Sequence, residues 1–332
     1  MGNAGFVSHQ WVAAQHPDPE LKQMQVLQDA LRHLLTSNGM VSLDYVTEAG
    51  VPSAKGISCQ AFQDRPLFLW YDYFSVPQLE QSYREAEALE QAMAVSTIPC
   101  YVAKCLFFFA LCPTIESHFK GQVLNTRSWA RRGWCRLERA SRELSENSNW
   151  ILIQSAGRLE VVGTGLSLVT GSVGEGEFSV ESDRGKLAPV MRAIVRRKLL
   201  LSLQNGDLPA YRRHLNLQSV HLRGLDIEPL HEIAGESNEV SHFLRQMGFR
   251  ELAGKDKSGW RPLHYAALRG NPLLIKNLLL HRADPNRRTS RDEPQLGFSM
   301  WVSALDIAIF YKHNEAARVL IEARAQPGPK LF

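Results

Sequence analysis

The tripeptide Pro-Leu-His occurs twice in this chain, at Pro229-Leu230-His231 and at Pro262-Leu263-His264, 33 residues apart. A second echo runs downstream. Leu263, Ala266, Leu278 and Ala283 are matched by Leu305, Ala308, Leu320 and Ala325 at a constant offset of 42. Self-similarity at such a period signals stacked supersecondary units, since one unit cannot bury its apolar face alone. The second offset exceeds the first by nine residues, which places an insertion between Arg287 and Met300. Within a unit, Pro262 suits a first helical turn, where its missing N–H is no loss. Ala266 and Ala267 are small enough for two antiparallel helices to press together there, and Leu263 fills the space between units.

The stretch Gly259-Trp260-Arg261-Pro262-Leu263-His264-Tyr265-Ala266-Ala267, closed by Ala283-Asp284-Pro285-Asn286, resembles an ankyrin repeat. The resemblance implies an all-α solenoid that holds a protein partner, with His264 tying adjacent loops through hydrogen bonds. Repeats are expected at about 225–257, 258–290 and 301–332. A helix–turn–helix at about 184–222, with Asp183 as N-cap and a turn at Asn205-Gly206-Asp207, reads as an atypical end unit. The third repeat departs from the pattern: Trp301-Val302-Ser303-Ala304 replaces the turn and its Pro, and Asp306 stands in for His. The insertion lengthens one finger loop, which Arg287, Arg288 and Arg291 make basic. These three are the candidate protein-binding residues, fit for an acidic partner; the alternative is a solvated loop.

At 332 residues, 44% hydrophobic and 22% charged, the chain has room for two domains with proper cores. Its net charge of +4 is small, and its basic patches lack interleaved aromatics, so nucleic acid is not expected as a partner. Five cysteines with no CxxC pair fit buried thiols in a reducing, cytoplasmic setting and exclude a zinc site of the usual spacing. The longest apolar run, from Cys105 to Cys112, is too short to span a bilayer, and no signal-peptide pattern opens the chain. His231-Glu232 starts like a zinc-protease HExxH, but Gly235 stands at the fifth position and ends that reading.

Residues 1–155 alternate strand and helix signals. A short strand at Phe6-Val7-Ser8 precedes a helical spacing of Leu21, Met24, Leu27, Leu31, Leu34 and Leu35. The run Pro66-Leu67-Phe68-Leu69-Trp70-Tyr71 reads as a strand buried on both faces, as do residues 106–111. Helices are expected at 81–95 and 131–144, and a strand at Trp150-Ile151-Leu152-Ile153. This order implies an α/β domain with a parallel sheet and helices on both faces. Residues 156–183, punctuated by glycines, read as a β-type linker, and no GxGxxG or Walker pattern supports phosphate binding there.

Three motifs in this domain carry a second resemblance: Ser8-His9-Gln10-Trp11 with Pro17-Asp18-Pro19; Trp70-Tyr71-Asp72 followed by Gln78; and Trp129-x-x-Arg132-x-Trp134-x-x-x-Glu138. Together they resemble the TIR-like superfamily and, within it, the heterokaryon-incompatibility branch. That implies a flavodoxin-like sheet, a self-associating homo-oligomer and, in some members, cleavage of NAD at the nicotinamide–ribose bond. NAD is then a substrate, and no cofactor is called for. Glu138 matches the catalytic carboxylate of those members. His9, Asp72 and Trp134 are the candidate substrate-binding residues at the same rim, since ligands of open α/β sheets bind at strand carboxyl ends. A carboxylate half-buried beside an indole has the means to stabilise an oxocarbenium-like transition state. The bland alternatives are that Glu138 pairs with Arg142, that Asp72 caps its own loop, and that Trp134 is core. The chain thus reads first as an interaction protein or signalling scaffold, and second as an NAD-cleaving hydrolase.

Overall fold

The computed structural model describes residues 2–13, 16–50, 54–75, 85–117, 121–163, 171–227, 239–293 and 298–329. The first half runs β1 (Asn3–Ser8), α1 (Lys22–Thr36), β2 (Met40–Leu43), α2 (Tyr45–Gly50), β3 (Ile57–Ser58), α3 (Gln60–Gln63), β4 (Leu67–Tyr71), α4 (Asp72–Ser75), α5 (Glu85–Lys104), β5 (Phe107–Leu111), β6 (Ile115–Ser117), β7 (Gln122–Leu124), α6 (Thr126–Arg131), α7 (Gly133–Glu143), β8 (Trp150–Ser155) and β9 (Arg158–Val162). Seven of these strands form one sheet, in the order β3-β2-β9-β8-β5-β1-β4. The strands β4, β1, β5 and β8 are mutually parallel, as is β2 with β9. The β8–β9 and β2–β3 pairs are antiparallel, so the sheet is mixed where the sequence implied a parallel one.

Alternation along β5 shows how the two cores form. Phe107, Phe109 and Leu111 meet α1 and α3 on one face, with Leu27, Leu34 and Phe62. Phe108 and Ala110 meet α5, α6 and α7 on the other, with Val102, Trp129 and Cys135. Two expectations are corrected here. The strand β4 is an edge strand, not one buried on both faces, and leaves Phe68 63% and Leu69 40% exposed. The β9 strand, expected in a linker, pairs with both β8 and β2 inside the sheet. A continuous apolar run reports hydrophobicity but not which edge of a sheet it will occupy.

The helix expected at 131–144 is α7, which starts at Gly133, and a short helix, α6, precedes it across a break at Arg132. Arg132 is extended (φ −76°, ψ 131°), and the backbone of Glu177 hydrogen-bonds both Arg131 O (2.7 Å) and Gly133 N (2.9 Å) across the break. Gly133 is small because the Phe178 ring fills its side-chain space: a Cβ there would stand 2.0 Å from Phe178 Cζ. The helix α7 is buried nearly all round; its Arg136 and Arg142 are satisfied by main-chain oxygens, and its Arg139 pairs with Glu143 at 3.6 Å. Arg136 donates to Ala130 O and Ser172 O, and Arg142 to Cys105 O, Leu106 O and Asn149 O.

The second half is helical: α8 (Asp183–Gln204), α9 (Leu208–Asn216), α10 (Gln218–His221), α11 (Glu239–Met247), α12 (Pro262–Arg269), α13 (Pro272–Leu280), α14 (Ala304–Phe310) and α15 (Asn314–Glu322). Ser182, not Asp183, is the N-cap of α8. The α8–α9 hairpin turns at Gly206 (φ 67°), with Asp207 capping α9 through Ala210 N at 3.0 Å. Beyond it α12 packs on α14, and α13 packs on both α11 and α15. Pro229-Leu230-His231 lies outside the described residues. One apolar core runs from Leu137 of α7 and its C-cap Leu144 through Leu187, Met191 and Val195 of α8 to Trp260, Tyr265, Leu305 and Leu320. The two halves therefore share a core at α7. Among the described residues no helix is long and apolar enough to cross a membrane.

The offset of 42 governs the backbone as well as the side chains. Gly259, Gly270 and Arg282 are left-handed (φ 81°, 75° and 68°), and so are Trp301, Lys312 and Arg324 (φ 73°, 59° and 60°). The last two units are thus the same fold with different residues.

Candidate functional site

The carboxyl ends of β1 and β4 converge on α7. Ser8, the last residue of β1, is fully buried and donates from Oγ to Glu138 Oε2 at 2.5 Å. Trp129 Nε1 in turn donates to Ser8 Oγ at 2.9 Å. The next residue, His9, places Nε2 2.6 Å from Asp72 Oδ1, the first residue after β4. A carboxylate only accepts, so Nε2 carries the proton. The Tyr71 ring stacks on His9 with centroids 4.2 Å apart, and Trp11 Nε1 donates to the other Asp72 oxygen at 3.3 Å. Parallel pairing of β1 with β4 sets Val7 opposite Tyr71 and so brings these two strand ends together.

The two carboxyl groups are driven apart electrostatically. Burial pushes Glu138 up to about 8; the Ser8 hydrogen bond works against that and the Asp72 charge adds to it. Burial also acts on Asp72, but the hydrogen bond and charge of His9, with help from Trp11 and the Tyr73 amide, outweigh it and hold the group below its ordinary range. The site therefore holds a protonated carboxyl and an ionised one at neutral pH, the separation that assigns acid and base roles. Burial raises the neighbouring Cys135 thiol, which keeps it protonated and unreactive.

Glu138, His9 and Asp72 are thus brought together as the sequence implied. Trp134 is not with them: its Nε1 donates to Asp183 Oδ2 at 3.2 Å, at the junction with α8. The indole tied to Glu138 through Ser8 is Trp129, on α6. The Glu138–Arg142 pair is also absent, because all three Arg142 nitrogens are spent on carbonyls. Ser8 escaped sequence reasoning as a site residue, although it opens the Ser8-His9-Gln10-Trp11 motif at a predicted strand end.

The basic insertion differs from a free finger loop. Thr289 and Phe298 are buried, with Phe298 in contact with Phe310 and Tyr311. Glu293 forms a buried ion pair with Arg213 at 2.8 Å. Arg287 pairs with Asp284 at 3.0 Å, Arg288 donates to Pro327 O at 3.0 Å, and Arg291 is exposed. The apolar and acidic residues interspersed among the arginines tie the loop to the stack.

Residues 258–290 match the family model of the ankyrin repeat. No curated protein matches the chain significantly. The matched segment spans the turn at Gly259 and the helices α12 and α13, the unit whose geometry recurs 42 residues on. An ankyrin repeat implies a protein partner.

Proposed function

We propose that this protein is an interaction module in which the helical second half takes a protein partner and the first half, a TIR-like domain with a flavodoxin-like arrangement of β4, β1, β5 and β8, docks or self-associates in a signalling scaffold of the cytoplasm. The observation that carries the reading is the ankyrin unit at 258–290 together with its structural repeat at 42 residues. In this reading Arg287, Arg288 and Arg291 line the edge of the partner surface. The shared core at α7 means that the full chain, not a C-terminal fragment, is the object to test. Affinity capture with the tagged full-length chain is expected to recover one protein reproducibly; recovery of nothing above background removes the reading.

A second reading is favoured by the convergence of Ser8, His9, Asp72 and Glu138 at the carboxyl edge of the sheet. Here the site cleaves NAD between nicotinamide and ribose. In the ionised form, which it takes as pH rises toward 8 and above, Glu138 stabilises the cationic ribosyl centre as nicotinamide departs with the bonding pair, and water then adds to that centre and loses a proton. His9, held by Asp72, positions the substrate. Incubation of the full chain with NAD tests this: release of free nicotinamide that Glu138→Gln abolishes supports it, and no release at high protein concentration removes it.

A further inference from the structure

Three turns in the helical half close in the same way. Phe249 N bonds Leu244 O, Ala283 N bonds Leu278 O, and Ala325 N bonds Leu320 O, at 2.8, 3.0 and 3.0 Å. Each turn passes through one left-handed residue: Gly248 (φ 67°), Arg282 (φ 68°) and Arg324 (φ 60°). Glycine adopts that conformation without a Cβ clash, whereas arginine does so against the preference of its backbone. The first turn shows that glycine serves this geometry, so folding does not account for arginine in the second.

Arg282 instead lines a cavity of about 240 Å³. Leu252 and Leu263 supply apolar lining, while Arg261, Arg282 and Arg287 set three guanidinium groups against the single carboxylate of Asp284. That carboxylate is engaged by Arg287 at 3.0 Å. Arg261 donates one terminal nitrogen to Ala253 O, and its Nε is buried without a hydrogen-bond partner among the described residues. Arg282 is exposed, and no side-chain partner is found for it among the described residues. His264, which also lines the cavity, is held neutral by burial, with its pKa lowered to about 4, and does not contest an anion. A buried guanidinium N–H without an acceptor is an unmet demand for an oxygen.

We propose that this cavity is a subsite for an acidic side chain of a partner peptide, an Asp or Glu flanked by an apolar residue, with Arg261 and Arg282 gripping the carboxylate and Leu252 and Leu263 receiving the apolar neighbour. The proposal rests on the binding reading above and specifies the chemistry that the partner presents. Guanidinium forks match carboxylates bidentately, which gives direction as well as charge.

The test uses a display library of random twelve-residue peptides panned on the immobilised full-length chain. Recovered sequences are expected to share Asp or Glu beside an apolar residue, and their affinity to fall as salt is raised. Arg282→Gly is the decisive variant, because it removes the guanidinium while relaxing the turn, so its melting temperature is expected to equal or exceed that of the parent. Its affinity for the recovered peptides is expected to fall roughly tenfold, the worth of one charge-assisted contact. Recovered peptides without acidic enrichment, or with unchanged affinity for Arg282→Gly, overturn the subsite and leave the binding reading standing. Recovery of no peptide counts against both.

Discussion

His264 and Asp306 occupy the same place in successive units and hold it with inverted hydrogen-bond chemistry. His264 Nδ1 accepts from the Arg261 amide at 3.0 Å, and Asp306 Oδ2 accepts from the Ser303 amide at 2.7 Å, so the helix-capping half of the job is alike. The other half is reversed. His264 Nε2 donates to the carbonyl of Arg287 at 3.1 Å, whereas Asp306 accepts from the amide of Gly328 at 2.8 Å. The departure at Asp306 is therefore matched by a change in what the following loop offers.

That inversion predicts that the two residues do not interchange. In His264→Asp a carboxylate would face the Arg287 carbonyl, two acceptors with no proton between them. The variant is expected to lose about 2 kcal/mol or more in urea unfolding, the cost of a buried polar group left unsatisfied. A change below a few tenths would show that the loop bond contributes nothing.

Acid should weaken the fold. Burial lowers His221 and His264 from an ordinary 6.5 to about 4, so between those values the unfolded chain binds protons that the native chain does not. Stability is then fully present above about pH 6.5 and falls as pH drops toward 4, by about 3 kcal/mol for each histidine. A flat stability profile over that window, measured by urea midpoints, would contradict the buried neutral state of both.

Glu138 has the opposite sign. Its folded pKa is raised from 4.5 to about 8, so the native state keeps a proton that the unfolded chain loses. Its contribution to stability declines as pH rises from 4.5 to 8. Glu138→Gln is expected to gain on the parent steadily across that range, and equal spacing of the two melting curves at pH 5 and pH 8 would refute the assignment. Under the second reading of function, nicotinamide release rises with pH toward 8, because the ionised form does the work.

Trp301 stands in the left-handed turn where the preceding unit has Gly259, and it is 53% exposed. Trp301→Gly is expected to raise stability by about 1 kcal/mol by relieving the backbone. A fall of that size in thermal melts would mean that the indole earns its place by packing.

The sequence made the repeat legible because its signals are local: Pro262 at a helix start, Ala266 and Ala267 at a helix–helix contact, and a fixed offset between like residues. His9, Asp72 and Glu138 were legible through motif order. Trp134 was misplaced because its indole is drawn to Asp183, 49 residues away, a tertiary contact that helical spacing does not encode. The edge position of β4 and the capture of β9 by the sheet depend on strand pairing, which hydrophobicity does not encode. Arg142 read from sequence as a partner of Glu138, since its carbonyl partners, Cys105 O and Leu106 O, belong to a segment far along the chain.

The most direct test of where this protein meets its partner is cross-linking mass spectrometry on the full-length chain in cell extract with a lysine-reactive reagent. Partner cross-links are expected at Lys255, Lys257, Lys276 and Lys312 of the helical half. Cross-links confined to Lys22, Lys55 and Lys104 of the sheet half would contradict a partner surface on the repeat stack.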